Sequence, residues 1–591
     1  MLKEALEVFE KKISTNDRIV IDSYTLKDGT YRLIEMKDDQ WEITKTLDIF
    51  YDKKRKEVIG DTDEDYYLIK QLDYYSKLIE MNKPIYNKTI HTNNYLSIAV
   101  KKESLVSNKL TREVIQGYFN ILRDPITKYE KKLKSKELYQ SVEEQLGPVD
   151  RQLLDKIENH VLNTNIFRDI NLDKNNYVKV FFIFPDYQKT ISLYKKEGER
   201  YIIPNLYNKN DYNINDNGLI LGLPNNNMGM NSKKPFLENK TRKVKVPYLL
   251  DQKRALLQSQ FFDYLLGQVS LGKYNFYIVT TAGEEEILSY SDKDSTSSLI
   301  MKSGYYLRCR KEKNEVEIIH ADSITAYSNT LKQPFILKNY IGISDKTIEK
   351  SKMKYDVTID ELWEICQLID DLFFDKKLKI HFYTKLDEIS INDNILKRCL
   401  LENRSVLAAW FYQGERDQLE LNIDKFTIDL INNSIGKNEF FKAQKQFNLR
   451  WSLLEYLNSE RRIGKDMVEI RSKLRQYINS SIDEWAFEND EEFSYAVGQL
   501  VKYFLSLSKA KNKSHSYINL FSNAKSVELL KRRIRMNYSK YNYNILEFEG
   551  SRFSNLYTQI MTYEPKKINS EYITAGFTAP SLIYETKKEE E

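Results

Sequence analysis

The side chains best suited to bind a ligand lie in one polar stretch near the middle of the chain, residues 225–245. It mixes side-chain amides and cations with Gly and Pro, and is too polar for a core element. Amides can pair with base edges, and Lys and Arg neutralise phosphates. Met228, Met230, Pro235 and Phe236 are apolar wedges of the kind that press into a groove. The stretch predicts a nucleic-acid-reading loop or, alternatively, a surface loop whose Asn and Lys reflect AT-rich coding DNA.

A second candidate is a basic strip between Lys502 and Lys540. Its one acid is Glu528, and its cations are Lys509, Lys511, Lys513, Lys525, Lys531, Arg532, Arg533 and Arg535. The whole chain carries a net charge of only +5, so this strip is a local feature. Such a positive field suits a phosphate backbone and would hold strands without reading their sequence. The alternative is a basic helix face that contacts only solvent.

Residue patterns for catalysis are weak. The chain has five histidines, and none has a second His or Cys at metal-ligand spacing. Gly218, Gly222 and Gly229 precede Lys233 at the wrong spacing for a phosphate-binding loop. The acidic run 61–65 opens like a calcium loop but lacks its later Gly and Glu. We therefore expect a protein that is not an enzyme and needs no cofactor or metal.

Bulk composition narrows the class of protein. With 591 residues, 41% of them hydrophobic, the chain should fold into two or more domains. Cys309, Cys366 and Cys399 are widely spaced, as expected in a reducing cytoplasm. The first ten residues form an amphipathic, acid-bearing pattern unlike a signal peptide, and no apolar run approaches the roughly 20 residues of a membrane span. These features predict a soluble cytoplasmic protein.

Hydrophobic periodicity predicts the elements that position these side chains. Short β-like runs at 18–21, 30–34, 95–100, 177–184 and 191–194 alternate with helical stretches, including a long one at 135–161. From residue 359 onward the spacing is helical. Its clearest stripe is Phe493, Ala496, Val497, Leu500, Val501 and Phe504, beside Gly498, which would admit a close neighbouring helix. The fold class is therefore α+β, with a large mixed N-terminal region followed by an all-helical C-terminal bundle.

Several local strings resemble the large subunit of type I-B CRISPR surveillance complexes (Cascade). In chain order they are 27–31 (KDGTY), 72–78 (LDYYSKL), 81–85 (MNKPI), 91–97 (HTNNYLS), 100–105 (VKKESL), 231–237 (NSKKPFL) and 497–503 (VGQLVKY). No single string is specific, but their order is collinear and they span most of the chain.

The resemblance implies a function. Such a subunit recognises the protospacer-adjacent motif on double-stranded DNA, helps to open the duplex, stabilises the R-loop and forms the platform for a helicase-nuclease. Its expected partners are crRNA, the DNA target, the backbone and small subunits of the complex and the helicase-nuclease, with no membrane. Guide pairing reads the rest of the target.

The resemblance also assigns domains and sites. Residues 1–358 would sense the motif and anchor the complex, residues 359–466 would connect, and residues 467–591 would resemble the small subunit, which in this family is also made from an internal start; here Met467 is the candidate. The motif-binding residues would be Asn225, Asn226, Asn227, Gly229, Asn231, Lys233, Lys234, Lys240, Arg242 and Lys243. The strand-binding residues would be Lys509, Lys511, Lys513, Lys531, Arg532, Arg533 and Arg535.

Other interpretations remain open. The string around Asn93, Asn94, Lys101 and Lys102 would face the crRNA 5′ end or a neighbouring subunit, or is a strand with a polar edge. For the whole chain, one rival is a nuclease or nucleotide-dependent enzyme of a defence or mobile-element system. A second rival is a scaffold that makes no nucleic-acid contact.

Overall fold

The structure is a computed structural model. It describes residues 1–52, 57–59, 62–80, 83–174, 176–225, 248–294, 300–312, 315–351, 353–481, 484–511, 513–545 and 547–585.

The elements alternate in the N-terminal half and are almost all helical afterwards. The helices are α1 (Leu2–Thr15), α2 (Ile19–Ser23), α3 (Glu64–Ser76), α4 (Lys102–Val106), α5 (Arg112–Arg123), α6 (Ile126–Tyr129), α7 (Leu133–Leu146), α8 (Arg151–Asn163), α9 (Tyr187–Asn205), α10 (Gln252–Ser270), α11 (Asp345–Ser351), α12 (Leu362–Phe373), α13 (Leu378–His381), α14 (Asn394–Gln413), α15 (Leu419–Gly436), α16 (Phe440–Leu457), α17 (Ile463–Asn479), α18 (Asp490–Leu507), α19 (Asn519–Ser522), α20 (Val527–Tyr541), α21 (Glu547–Thr562) and α22 (Ser570–Thr578). The strands are β1 (Gly29–Lys37), β2 (Gln40–Asp52), β3 (Glu57–Ile59), β4 (Ser97–Lys101), β5 (Tyr177–Ile183), β6 (Ile214–Asp216), β7 (Leu219–Leu221), β8 (Asn275–Val279), β9 (Glu286–Tyr290), β10 (Ile300–Met301), β11 (Gly304–Glu312), β12 (Glu315–Ile324), β13 (Tyr327–Ser328), β14 (Thr330–Ile336) and β15 (Thr358–Glu361).

The chain forms two compact units. The first comprises Met1–Lys293 and Gly304–Ser323, and the second comprises Asp294–Ser303 and Ile324–Glu591. The predicted fold class is confirmed, because the first unit is mixed α/β and the second is dominated by helices. The predicted domain boundary at residue 358 falls within the second unit, and that at residue 466 falls inside α17.

A five-stranded sheet of order β3-β2-β1-β5-β4 is central to the first unit. β1 and β5 run parallel, and the other neighbours are antiparallel. Successive residues of a strand point to opposite faces, and β5 illustrates this. Phe181 packs on Tyr194 of α9, with ring centroids 6.2 Å apart, whereas Phe182 packs on His160 of α8, at 6.1 Å. The sheet is therefore covered by helices on both faces.

A second sheet of the first unit has four strands in the order β12-β11-β8-β9. Phe276, Ile278 and Leu307 of this sheet share a core with residues of α1 and α10. Phe9 of α1 meets Phe261 of α10 edge-on, with ring centroids 5.2 Å apart. The two sheets thus have separate hydrophobic clusters within one unit.

The second unit has one continuous hydrophobic core that runs from Phe335 to Ile583. α16 and α18 lie within it, and Trp410 and Trp451 are among its largest fully buried side chains. The predicted apolar stripe of α18 is confirmed, since all six of its members are fully buried. Gly498 on this helix lies against Gly576 of α22, as its predicted close helix contact requires.

Three predictions of secondary structure are wrong. Residues 18–21 were expected to form a strand, but most of them belong to α2, and residues 191–194 lie inside α9. α9 starts at an Asp186 N-cap that accepts the amide of Lys189, so the helix extends through the β-branched run. The single helix expected over 135–161 is two, α7 and α8. They are separated at Gly147, which has a φ of 75°, and at the following Pro148.

Among the helices of the described ranges, none is both long enough and apolar enough to cross a bilayer.

Candidate nucleic-acid interface

Two helices of the second unit position the basic strip. α18 begins at Asn489, whose side chain accepts the amide of Glu492, and buries its apolar stripe in the core. α20 begins at Ser526, whose hydroxyl accepts the amide of Leu529 at 3.2 Å. α20 buries residues at helical spacing, among them Leu530, Ile534 and Tyr541, so the positions between them face outward. Phe504 of α18 stacks on Tyr541 of α20, which links the C-terminal ends of the two helices.

Five of the seven predicted strand-binding residues are exposed, and we call these five the basic surface. They are Lys509, Lys511, Lys513, Arg532 and Arg535. Within the described part of the chain, none of the five forms an ion pair with an acid. Exposed cations without an acidic partner can neutralise phosphates of a bound strand, and the counterions that the strand then releases drive binding.

Two contacts hold the linker between α18 and α19 in place. The ammonium of Lys513 donates to the carbonyl of Ser506 at 2.6 Å. The Lys509 ammonium lies 5.7 Å from the ring centroid of Tyr543, just beyond α20. This cation–ring contact brings the linker cations towards the C-terminal end of α20. The basic surface therefore draws on two segments that are separate in sequence.

Lys531 does not belong to the basic surface, although the sequence suggested it as a strand-binding residue. It is buried, and its ammonium pairs with Glu564 at 2.7 Å and donates to the carbonyl of Met561 at 3.1 Å. Its position beside Leu530 turns it towards the core, where it connects α20 to α21 and the segment that follows. We therefore assign Lys531 a structural role. Arg533 is intermediate, because it is half-buried and donates to the carbonyl of Leu520.

Sequence reasoning missed the aromatic side chains at the same surface. Tyr543 is 71% exposed and accompanies Lys509. Tyr584 is 42% exposed, and its hydroxyl lies 2.7 Å from that of Ser506. Exposed rings beside cations offer stacking platforms for unpaired bases. With 42 Tyr in the chain, tyrosine abundance carried no positional information.

The amide-rich stretch lies mostly outside the described residues. This applies to Asn226, Asn227, Gly229, Asn231, Lys233, Lys234, Lys240, Arg242 and Lys243. Asn225 is described, and its side-chain amide donates to Glu80 at 2.7 Å. That contact makes Asn225 an anchor at the start of the stretch, and the donor needed to read a base edge is already engaged.

The two flanks of this stretch meet in a defined stem. Gly222 and Leu250 exchange two backbone hydrogen bonds of 2.9 Å. The hydroxyl of buried Tyr207 lies 3.1 Å from the carbonyl oxygen of Ile220 and 2.9 Å from that of Leu250, and can donate to either. The described residues on the two sides of the stretch are therefore hydrogen-bonded neighbours.

The polar string before β4 is structural. Asn93 and Asn94 are buried, and their amide groups donate to the carbonyls of Lys77 and Tyr194 at 2.7 and 3.0 Å. The Asn94 side-chain oxygen accepts the amide of Leu96 at 3.1 Å. These amides fix the entry into β4, which favours the interpretation of a strand with a polar edge. Lys101 is exposed at the end of that strand.

Across the described ranges, no group of three or more His, Cys, Asp or Glu side chains could hold a metal ion. Cys309, Cys366 and Cys399 are buried free thiols, and burial raises the pKa of each; for Cys309 it reaches about 12. A thiol with a raised pKa is a poor nucleophile at neutral pH.

The fold and the basic surface thus define an α+β protein with an exposed cationic face on a helical bundle. No family model, no curated protein and no solved structure matches the chain.

Proposed function

We propose that this protein binds nucleic acid as the non-catalytic large subunit of a crRNA-guided type I-B Cascade complex. The observation that carries the proposal is the basic surface, with exposed cations and no acid partner among the residues that the structure describes. A helix face that contacts only solvent does not explain why cations from two segments lie together beside exposed tyrosines. A surface that holds a single strand gains both charge neutralisation and stacking.

The finer assignment rests on the collinear resemblance. In the proposed complex, the polar stretch between Gly222 and Leu250 recognises the protospacer-adjacent motif, and the basic surface holds the displaced DNA. The stem supports this division, because it brings the two described ends of the stretch together. The protein recruits the helicase-nuclease and performs no cleavage itself.

Strand binding is tested with the purified full chain and a labelled single-stranded oligonucleotide, by fluorescence anisotropy at several salt concentrations. The variant Arg532→Ala with Arg535→Ala removes two exposed cations and leaves the buried face of α20 unchanged. The slope of log affinity against log salt should become shallower by about 1.4, because each single-strand phosphate contact contributes about 0.7. Exposed Lys332 and Lys376 of the same unit, each changed to Ala, form a charge-matched control.

An unchanged slope in the arginine variant would reject the basic surface as the strand site. If the control variant lowers the slope equally, binding follows net charge alone and the basic surface is not a defined strand site. Magnesium-dependent cleavage of the oligonucleotide by the wild-type chain would instead favour the nuclease rival.

Motif recognition is tested in the reconstituted crRNA complex with Asn231→Ala, Lys233→Ala and Lys234→Ala combined. Matched duplex targets carry or lack the flanking motif. Loss of the preference for the motif, with assembly and pairing to single-stranded target intact, is the expected result. An equal fall in affinity for both targets would make the stretch a phosphate clamp and contradict its role as the reader.

A further inference from the structure

Three adjacent segments of the first unit bring lysines together at one end of the five-stranded sheet. Lys179 of β5 is paired with Tyr31 of β1 on one side and with Ala99 of β4 on the other. Two residues along the same strands, Tyr177 is paired with Lys101. Paired residues share a face of the sheet, so Lys101 and Lys179 are diagonal neighbours on that face.

Tyr31 brings a third lysine to the same place. Its hydroxyl donates to the backbone carbonyl of Lys27 at 2.7 Å, and its ring centroid lies 5.4 Å from the ammonium of Lys179. Lys27 lies just before β1, in the same turn as Asp28, and β1 begins at Gly29. We call Lys27, Lys101 and Lys179 the lysine cluster.

His91 lies beside the lysine cluster, and the charge of the cluster affects the pKa of its imidazole. The His91 amide donates to the carbonyl of Ala99 at 2.7 Å, and its ring centroid is 5.4 Å from that of Tyr177. Burial first, and then the charges of Lys101, Lys179 and Lys27, lower the pKa of His91 to about 4. The imidazole is therefore neutral at physiological pH, and a hydrogen bond with the backbone of Lys88 holds it in place.

The nearby acids do not balance the cluster. Asp73 is bonded to Lys179 at 2.5 Å and accepts the hydroxyl of Tyr24 at 2.8 Å. Asp263 is bonded to Lys77 at 2.8 Å and accepts the hydroxyl of Tyr74 at 3.0 Å.

Two cations of the lysine cluster, Lys27 and Lys101, have no acidic partner among the described residues. Asp28 accepts the amide of Tyr51, and Lys311, another cation of this region, donates to the hydroxyl of Ser270. Lys27 and Lys101 are exposed, and neither has an ion-pair partner in the described ranges. Desolvation, followed by the charge of Lys179, lowers the pKa of Lys27. An anion beside Lys27 would offset the charge repulsion from Lys179.

We propose that the lysine cluster binds a phosphate group, carried by a nucleotide or by a nucleic-acid strand. Several compact ammonium charges at one end of the sheet suit a multivalent oxyanion, since each Lys can donate to a separate oxygen. The site lies in the first unit and is independent of the proposed function, which depends on the basic surface of the second.

The test uses the full chain carrying Arg532→Ala and Arg535→Ala, which removes two of the five cations of the competing basic surface. Two probes distinguish the sources of phosphate: a fluorophore-labelled nucleoside triphosphate, with inorganic pyrophosphate as competitor, and a labelled single-stranded oligonucleotide. The variant Lys27→Ala with Lys101→Ala leaves the buried Lys179–Asp73 pair in place. Exposed Lys131 and Lys195 of the same unit, changed to Ala, provide the matched control.

We expect the cluster variant to lose at least about tenfold in affinity for one or both probes, while the control keeps its affinity. Loss for both probes supports a site for terminal phosphates, and loss for the oligonucleotide alone supports a site for the strand backbone. Equal binding by cluster and control variants, or no binding of either probe by the parent chain, overturns the proposal.

A second measurement does not depend on variants. Lysine acylation followed by mass spectrometry should show Lys27 and Lys101 protected at saturating probe, with Lys131 and Lys195 unaffected. Unchanged acylation of Lys27 and Lys101 at saturation would also overturn the proposal.

Discussion

Among the charged residues of the second unit, Arg450 should be the one whose replacement lowers the free energy of unfolding most. Its side chain is 2% exposed and lies on α16. It donates to both carboxylate oxygens of Glu571 at 2.9 and 3.0 Å, to the Thr427 hydroxyl at 2.6 Å and to Asp424. Trp451 also donates its indole N–H to Glu571 at 3.0 Å. This network joins α15, α16 and α22 through one buried guanidinium.

The informative change is Arg450→Met, which keeps much of the side-chain volume and removes the charge. Glu571 is 19% exposed at its side chain, so it would remain largely buried with only the indole N–H of Trp451 in place of the guanidinium. Breaking a buried pair in this way costs about 3 to 5 kcal/mol. At about 2 to 4 °C per kcal/mol for a unit of this size, Tm should fall by about 6 to 20 °C.

Tryptophan fluorescence during thermal or urea unfolding measures this effect in the intact chain. Trp363, Trp410, Trp451 and Trp485 belong to the second unit, whereas the first has only Trp41. The signal therefore reports mainly on the unit that carries Arg450.

Arg461 provides a control that distinguishes the effect of burial on stability from the effect of charge. Arg461 also contacts Asp424, at 3.2 Å, but its side chain is 31% exposed. Arg461→Met should cost less than about 1 kcal/mol, as expected for an ion pair open to solvent. Adding Glu571→Gln to Arg450→Met should restore part of the loss, because no uncompensated carboxylate then remains. A loss below about 1 kcal/mol for Arg450→Met would refute the reasoning.

Two further predictions concern the Met467 start and the lysine cluster. A fragment of residues 467–591 lacks Arg450 and the other α16 partners of α22, so its circular dichroism should show no cooperative unfolding and its α22 amides should exchange faster than in the whole chain; a cooperative transition in the fragment would contradict this. His91 should titrate near pH 4 by histidine ring NMR, assigned with His91→Gln, because burial, Lys101, Lys179 and Lys27 disfavour its charged form. Since this pKa is lowered in the folded state, stability should fall as pH drops from about 6.5 towards 4; a midpoint near 6.5 would contradict the charge assignment.

The fold was predictable where one periodicity dominated. The apolar stripe of α18 has helical spacing over three turns, and every one of its six positions is buried. Short β-branched runs were less decisive, because residues 191–194 could satisfy either a strand or a helix. Asp186 and the buried position of Tyr194 settle the competition in favour of α9. A capping residue five positions upstream thus outweighed local β propensity.

The candidate site was predictable only as a local excess of charge. Neighbouring Lys531 and Arg532 look equivalent in sequence, yet one is buried against Glu564 and the other is exposed. Glu564 is distant in sequence, and no local pattern indicates that it meets α20. The lysine cluster was harder still, since Lys27, Lys101 and Lys179 come together only through strand pairing.

Close packing of α18 explains how a few exposed cations can form a defined surface. A Cβ atom added at Gly498 would overlap the carbonyl oxygen of Ile573, and one added at Gly576 would overlap that of Tyr495, so α18 and α22 approach to backbone contact. Because the core holds α18 up to its end at Leu507, the linker that follows starts from a fixed point. That end is already ordered in the folded protein, so less conformational entropy would be lost in the strand binding proposed above. Loosening this helix contact should therefore weaken strand binding even though neither glycine lies on the basic surface.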